Sequence, residues 1–232
     1  VMRFVQTIYK PENVSRAYVL FPFAGGDAQT YANLVRSIRQ MDHTVALYYV
    51  PYLHSTSDCE MAAEEIAGVT KESPVSFYSH CAGSAVALCI LQRMEARYGN
   101  IIAHYYAAGN VPVRMAFAFN GWNYVPDKIL LRILKKAGAP DLLLQGEKLG
   151  DMPARFRLDT DFFFEYFSRK TEKCNCRTTL LLGRGDLFTR FLGSPKKHWS
   201  ANVRHIEQIR YIETQNHYFH SQQSDLIAGI IL

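Results

Sequence analysis

An α/β architecture, a mostly parallel sheet covered by helices on both faces, is what this 232-residue sequence predicts. Three observations carry the prediction. Short apolar runs of strand length alternate with helical stretches. All but the last of those runs end in turn or small residues. One of them passes straight through Ser79-His80-Cys81-Ala82-Gly83-Ser84 into a run of helix formers.

In chain order, Tyr18 to Phe21 reads as the first strand and leads through Pro22-Phe23-Ala24-Gly25-Gly26 into a helix over Ala28 to Met41. Val45 to Val50 is the next strand, and Ala62 to Thr70 the next helix. The strand Pro74 to Tyr78 is followed by Ala82 to Arg97, a stretch made almost wholly of residues with high helix propensity. Ile101 to Tyr106 reads as a strand. The rhythm then breaks between about 114 and 170, where helical segments over Asp127 to Lys136 and Asp161 to Arg169 replace strands, so this stretch reads as a helical insertion. Thr179 to Leu182 and Ile206 to Ile212 resume the sheet. A helix over Ser221 to Leu232 closes the chain, with Leu226, Ile227, Ile230 and Ile231 at helical spacing on one face. No repeat and no linker-like run separates two cores, so residues 1–232 are expected to form one domain.

Composition narrows the function classes. Hydrophobic residues at 48% and charged residues at 20% are those of a globular protein rather than a disordered one. The 26 Lys and Arg against 21 Asp and Glu give +5, but the charges are scattered, with no basic stripe for nucleic acid. No apolar run is long enough to span a bilayer and no signal-peptide pattern opens the chain, so a cytoplasmic protein is expected. Five cysteines form an odd set without framework spacing, which points to reduced thiols. Cys174-Asn175-Cys176 lacks a second ligand pair at zinc-like distance, so no metal is expected.

The chemistry concentrates at Cys81. A residue at a sharp strand-to-helix turn stands above the sheet, and the pattern G-x-S-x-G is matched here by Ser79, Cys81 and Gly83. The unpaired N–H groups at the start of the following helix favour a thiolate and a neighbouring oxyanion. The competing reading is a small buried hydrophobe, the usual fate of a free cysteine. Such a nucleophile needs a base and an orienting carboxylate. Gly183-Arg184-Gly185-Asp186 places Asp186 just beyond a strand, and Thr214-Gln215-Asn216-His217-Tyr218-Phe219-His220 places two histidines before the closing helix. His217 directly follows the polar turn and suits the base, while His220 is expected to start the helix. The remaining histidines read as ordinary loop or surface residues, and the His80 ring is expected to point away from the attack direction. The Gly25-Gly26 loop lacks the residues of a phosphate cradle and better supplies an oxyanion N–H, paired with that of Ala82.

Taken together, FPFAGG with Tyr31, SHCAGS, AAGNVP at 107 to 112, GRGD at 183 to 186, Trp199 and QNHYFH at 215 to 220 resemble the stand-alone type II thioesterases of nonribosomal peptide and polyketide assembly lines. The resemblance covers nearly the whole chain. It implies an α/β-hydrolase fold with an inserted helical lid, to which Lys135 to Pro140 and Arg155 to Asp159 look similar. It also implies Cys81, Asp186 and His217 as the catalytic set and Ala82 with Ala24, or else Phe23, as oxyanion donors. Phe23 and Tyr218 are expected to touch substrate. No cofactor is implied, since the acyl group rides on the phosphopantetheine arm of a partner acyl or peptidyl carrier protein, and the chain is expected to act as a monomer. Four positions depart from the family pattern: Cys81 replaces its Ser, Ser79 its Gly, Phe23 its His, and Pro51-Tyr52-Leu53 its Pro-Gly-Arg loop. An engineered Ser-to-Cys trap would leave the other three unexplained, so the cysteine reads as natural. Hydrolysis through an acyl-cysteine is the first expectation. A thioester's openness to amines and carbanions makes cyclisation or acyl transfer the second, and a silent carrier-binding module the third. Phe117, Phe119, Trp122, Tyr124, Phe162, Phe163 and Phe164 are candidates for an acyl tunnel or for plain core.

Overall fold

The computed structural model describes residues 4–110, 121–169, 172–191 and 193–232. Seven strands form one sheet: β1 (Gln6–Tyr9), β2 (Arg16–Phe21), β3 (Val45–Tyr49), β4 (Val75–His80), β5 (Ile102–Ala108), β6 (Cys174–Gly183) and β7 (Val203–Ile212). Their spatial order is β1-β3-β2-β4-β5-β6-β7. Only β1 is antiparallel to its neighbour; every other pairing is parallel. This is the α/β-hydrolase arrangement that the sequence predicts.

Central strands buried on both faces need continuous apolar runs, and the stretch Ala17 to Phe21 of β2 and all of β3 meet that need with every residue buried. One face of the sheet is covered by α2 (Thr56–Thr70) and α3 (Gly83–Tyr98), which share a core with Val19, Phe21, Val75 and Phe77. The other face is covered by α1 (Ala32–Met41) and α8 (Ser224–Ile231), packed on Tyr18, Leu20, Leu47 and Tyr78. Alternation along β4, with Phe77 on one side and Tyr78 on the other, is the period-two pattern of a strand between two layers.

Several boundaries move. The short edge strand β1 is absent from the sequence reading because four residues give too little alternation to register. Strand β6 begins at Cys174 rather than Thr179, and Cys174 and Cys176 prove to be core residues on one face of it. Helix α2 begins at Thr56 rather than Ala62. Its first turn is polar, but the Ser55 hydroxyl accepts the Asp58 N–H at 3.0 Å as an N-cap. A short helix α6 (Pro195–Trp199) lies between β6 and β7, and the closing helix divides at Gln223 into α7 (Phe219–Gln222) and α8.

Between the adjacent strands β5 and β6 lie α4 (Asp127–Lys136) and α5 (Gly146–Ser168), within the stretch read as an insertion. Helix α5 starts well before Asp161, because Gly146, Gly150 and Pro153 disguise its first turns. Phe117 and Phe119 lie outside the described residues. Since β2, β4, β5, β6 and β7 run parallel, the loops after β2, β4, β6 and β7 emerge at the same sheet edge. Ligands and catalytic groups collect at such an edge.

Candidate active site

Cys81 sits between β4 and α3 with φ +50, the only non-glycine residue with positive φ among the described residues. A side chain held in that region is strained by about 1–2 kcal/mol, so its surroundings must hold it there. They do so at both ends of the residue. The Cys81 N–H donates to the Ala108 carbonyl at the end of β5 (2.8 Å), and its carbonyl accepts from the Ser84 hydroxyl (2.9 Å) and N–H (3.2 Å). The Asn110 amide donates in turn to the Ser84 oxygen at 2.5 Å. Ser79, where the resembled pattern has Gly, is fully buried and shares a 2.7 Å hydrogen bond with the Tyr105 hydroxyl on β5, so its oxygen is satisfied.

Gly83 explains why nothing larger is admitted after the turn: a Cβ there would lie 2.3 Å from the Pro22 carbonyl oxygen. That close approach presses the loop after β2 against the start of α3. The loop itself is a type II β-turn. The Gly26 N–H donates to the Phe23 carbonyl at 2.9 Å, and Gly25, at the third position, takes the required positive φ of 75. Ala24 and Ala82 consequently share one apolar cluster against which Cys81 packs, and Ala82 contributes one of the unpaired N–H groups that begin a helix.

Asp186, fully buried in the loop after β6, accepts the His217 Nδ1–H at 2.8 Å, the Phe188 N–H at 2.8 Å and the Thr189 hydroxyl at 3.0 Å. Burial alone would raise its pKa, but these donors and the His217 charge outweigh it and hold the carboxyl below its ordinary range. His217 is buried too, which by itself would make it neutral. The Cys81 charge, the Asp186 hydrogen bond and interaction with the Cys81 thiol reverse that and bring its pKa up to about 10. Its Nε2 has no nitrogen or oxygen partner. With Nδ1 committed to Asp186, Nε2 is the ring nitrogen left over.

Cys81, Ala82, Asn110, His217 and Tyr218 line one cavity of about 190 Å³, closed over by Phe156, Thr160, Phe163 and Phe164 of α5 together with Trp122 and Phe188. Apart from Cys81 and His217 the lining is mostly carbon. Of the aromatic residues considered for a tunnel, Trp122, Phe163 and Phe164 face this cavity, Phe162 belongs to the core, and Tyr124 is exposed. Phe23 does not line it. Its ring is buried beneath, edge-on to Tyr218 at 4.6 Å and near His220 at 5.5 Å, so the expected substrate contact is replaced by a packing role.

His80 is buried rather than a loop or surface residue, and His220, in the first turn of α7, is buried too. His80 turns away from the cavity, as expected, and its Nε2–H donates to the His217 carbonyl at 2.8 Å. Desolvation, followed by the charges of neighbouring histidines, holds both His80 and His220 neutral, His220 down to about 3. Tyr52 is a further residue that pattern reading passed over. Its hydroxyl donates to the Ala82 carbonyl at 3.0 Å and its ring packs on the same apolar cluster as Cys81, and its departure from the family loop is the available signal.

No protein-family model and no curated protein matches the chain. Solved structures do resemble it. The type II thioesterase BorB from the borrelidin biosynthetic cluster superposes with a TM-score of 0.76 at 18% identity, over 98% of this chain and 96% of that one. A mutant of YbtT, the type II thioesterase from the yersiniabactin NRPS/PKS pathway, gives 0.75 at 18% identity over 99% and 96%. SrfTE, the thioesterase domain that cyclises the lipopeptide antibiotic surfactin, gives 0.68 at 15% identity over 99% and 94%. At these identities the likeness establishes the fold.

Proposed function

We propose that the chain is a thioesterase that removes acyl groups from the phosphopantetheine arm of acyl or peptidyl carrier proteins through an acyl-Cys81 intermediate. The observation that carries this reading is the buried His217–Asp186 hydrogen bond of 2.8 Å, with Nε2 left for a cysteine held at φ +50.

In the proposed reaction His217 Nε2 takes the Cys81 proton, and the thiolate attacks the thioester carbonyl. The carbonyl oxygen becomes an oxyanion facing the Ala82 and Ala24 N–H groups. Collapse breaks the carbon–sulfur bond to pantetheine, whose sulfur takes the proton back from His217. Water, deprotonated by the same imidazole, then attacks the acyl-cysteine, releasing a carboxylic acid and the free thiol. Asp186 keeps the ring in the required tautomer and stabilises the imidazolium. The thiol-for-hydroxyl exchange makes the intermediate another thioester, so acylation is close to energetically neutral.

A second reading, release by an internal amine or carbanion, is favoured by one observation. The cavity wall is mostly carbon and, among the described residues beyond the proposed reacting set, offers only Asn110, Thr160, Thr189 and Tyr218 as polar residues for holding water. Single-turnover mass spectrometry on an acyl-carrier substrate separates the two. Hydrolysis yields the acid and free carrier thiol, while a product lighter than the acid by one water means cyclisation. A protein that never gains the acyl mass and releases no thiol is a binding module instead.

A further inference from the structure

Asp159 is a carboxylate on α5 that reaches out of its own helix into the loop after β2. Its side chain is 7% exposed; Oδ2 accepts the Gly25 N–H at 2.6 Å, and Oδ1 lies 2.7 Å from His54 Nε2. The same helix touches the same glycine a second time, since a Cβ on Gly25 would meet the Met152 sulfur at 2.6 Å.

The Gly25 N–H belongs to the central peptide of the Phe23–Gly26 turn. Types I and II differ by a flip of that peptide, and the positive φ of Gly25 marks type II. An acceptor fixed on the Gly25 N–H therefore holds the peptide in one of its two states. The Ala24 N–H belongs to the preceding peptide, which such a flip leaves in place, so what the Asp159 bond and the Met152 contact fix for that donor is where the whole turn sits against α5. We infer that Asp159 is a positioning residue, setting the oxyanion donor at Ala24 from the helix that covers the cavity, so that the donor is in register only while α5 is docked. The inference rests on the thioesterase reading above, and on no charge change at Asp159.

Two reactions of Cys81 separate this role from a general structural one. Acylation by a thioester passes through an oxyanion, whereas alkylation by iodoacetamide displaces iodide and develops none. In single-turnover experiments with an acyl-pantetheine thioester, Asp159→Ala should lower the limiting acylation rate by roughly 10- to 100-fold, short of the 10²- to 10³-fold for deleting a donor outright. Half-saturation should be little changed and iodoacetamide labelling should stay within about twofold of wild type. Asp159→Asn, whose amide oxygen can still accept from Gly25, should restore most of the rate. Asp159→Ser, too short to reach Gly25 but able to bond to its own helix, keeps the test alive if the alanine variant does not fold. Unchanged acylation in the Ala and Ser variants, or acylation and alkylation falling together, would overturn the inference while leaving the thioesterase reading standing. A wild-type protein that is never acylated overturns both.

Discussion

Two groups of buried histidine lie back to back at the end of β4. His217 faces the cavity, and His80 and His220 lie behind it, with the His80 ring 5.4 Å from His217 and 4.4 Å from His220. All three are cut off from water, and at the rear pair burial is the leading influence, with the charges of neighbouring histidines acting in the same direction. There it keeps the rings neutral, whereas at His217 a carboxylate on one side and a thiol on the other reverse the outcome. Burial sets how strongly a neighbour is felt; the neighbours decide which protonation state wins. The rear pair has a different task, since the His80 bond to the His217 carbonyl holds the backbone from which the front ring projects.

The comparison can be broken most sharply at the thiol. Cys81→Ala should abolish acyl-enzyme formation in intact-mass measurements, whereas Cys59→Ala and Cys89→Ala, both in the core away from the cavity, should leave it near normal. Equal loss in all three would assign Cys81 a structural role. Next in size, His217→Ala should cost about 10²- to 10⁴-fold in acylation rate. His220→Ala should cost less than about tenfold and act mainly through stability, because it empties a site packed against Phe23, Tyr31 and His80. The opposite ranking would move the base to the rear of the cluster.

A third test sharpens the electrostatics. The Cys81 charge is the largest influence raising His217, so Cys81→Ala should shift the His217 ring titration downward in NMR spectra, from about 10 in the intact protein. A ring whose titration does not move owes its protonation to Asp186 alone. The smallest expected effect is on stability against pH. His80 and His220 have folded-state pKa values below the ordinary 6.5, so the unfolded chain binds protons there first. Both contributions are full above the ordinary 6.5 and are lost as pH falls below it, that of His220 as pH falls toward about 3. His217 has the opposite sign: its contribution is present below 6.5 and lost as pH rises through about 10. His220→Phe should flatten the acid limb of denaturant-midpoint measurements and leave the alkaline limb as it was; a change confined to the alkaline limb would contradict the assignment.

Much of the site was written in local pattern. The turn Ser79-His80-Cys81-Ala82-Gly83 between a strand and a helix, and the polar turn before His217, picked out the residues that now share the cavity, because each depends on a few consecutive positions. The strand-helix alternation gave the sheet for the same reason. Residues acting across long separations were not legible. Asp159 meets Gly25, and Tyr52 meets Ala82, only after the chain has folded, and no spacing announces either pair. Phe23 shows the other limit. Its neighbour Ala24 locates it beside the site, but which side of the loop its ring faces depends on Tyr218, a residue far along the chain. The first half of helix α5 is not legible in the sequence because Gly146, Gly150 and Pro153 carry poor propensity, which contacts with the core and with α3 override.

The φ of +50 at Cys81 bears on how this protein could change over generations. Glycine occupies that backbone region without penalty, so Cys81→Gly removes a strain of about 1–2 kcal/mol along with the sulfur. On the proposed reading of Cys81 as the nucleophile, that strain works against keeping cysteine here, and a lineage that keeps it is held there by use.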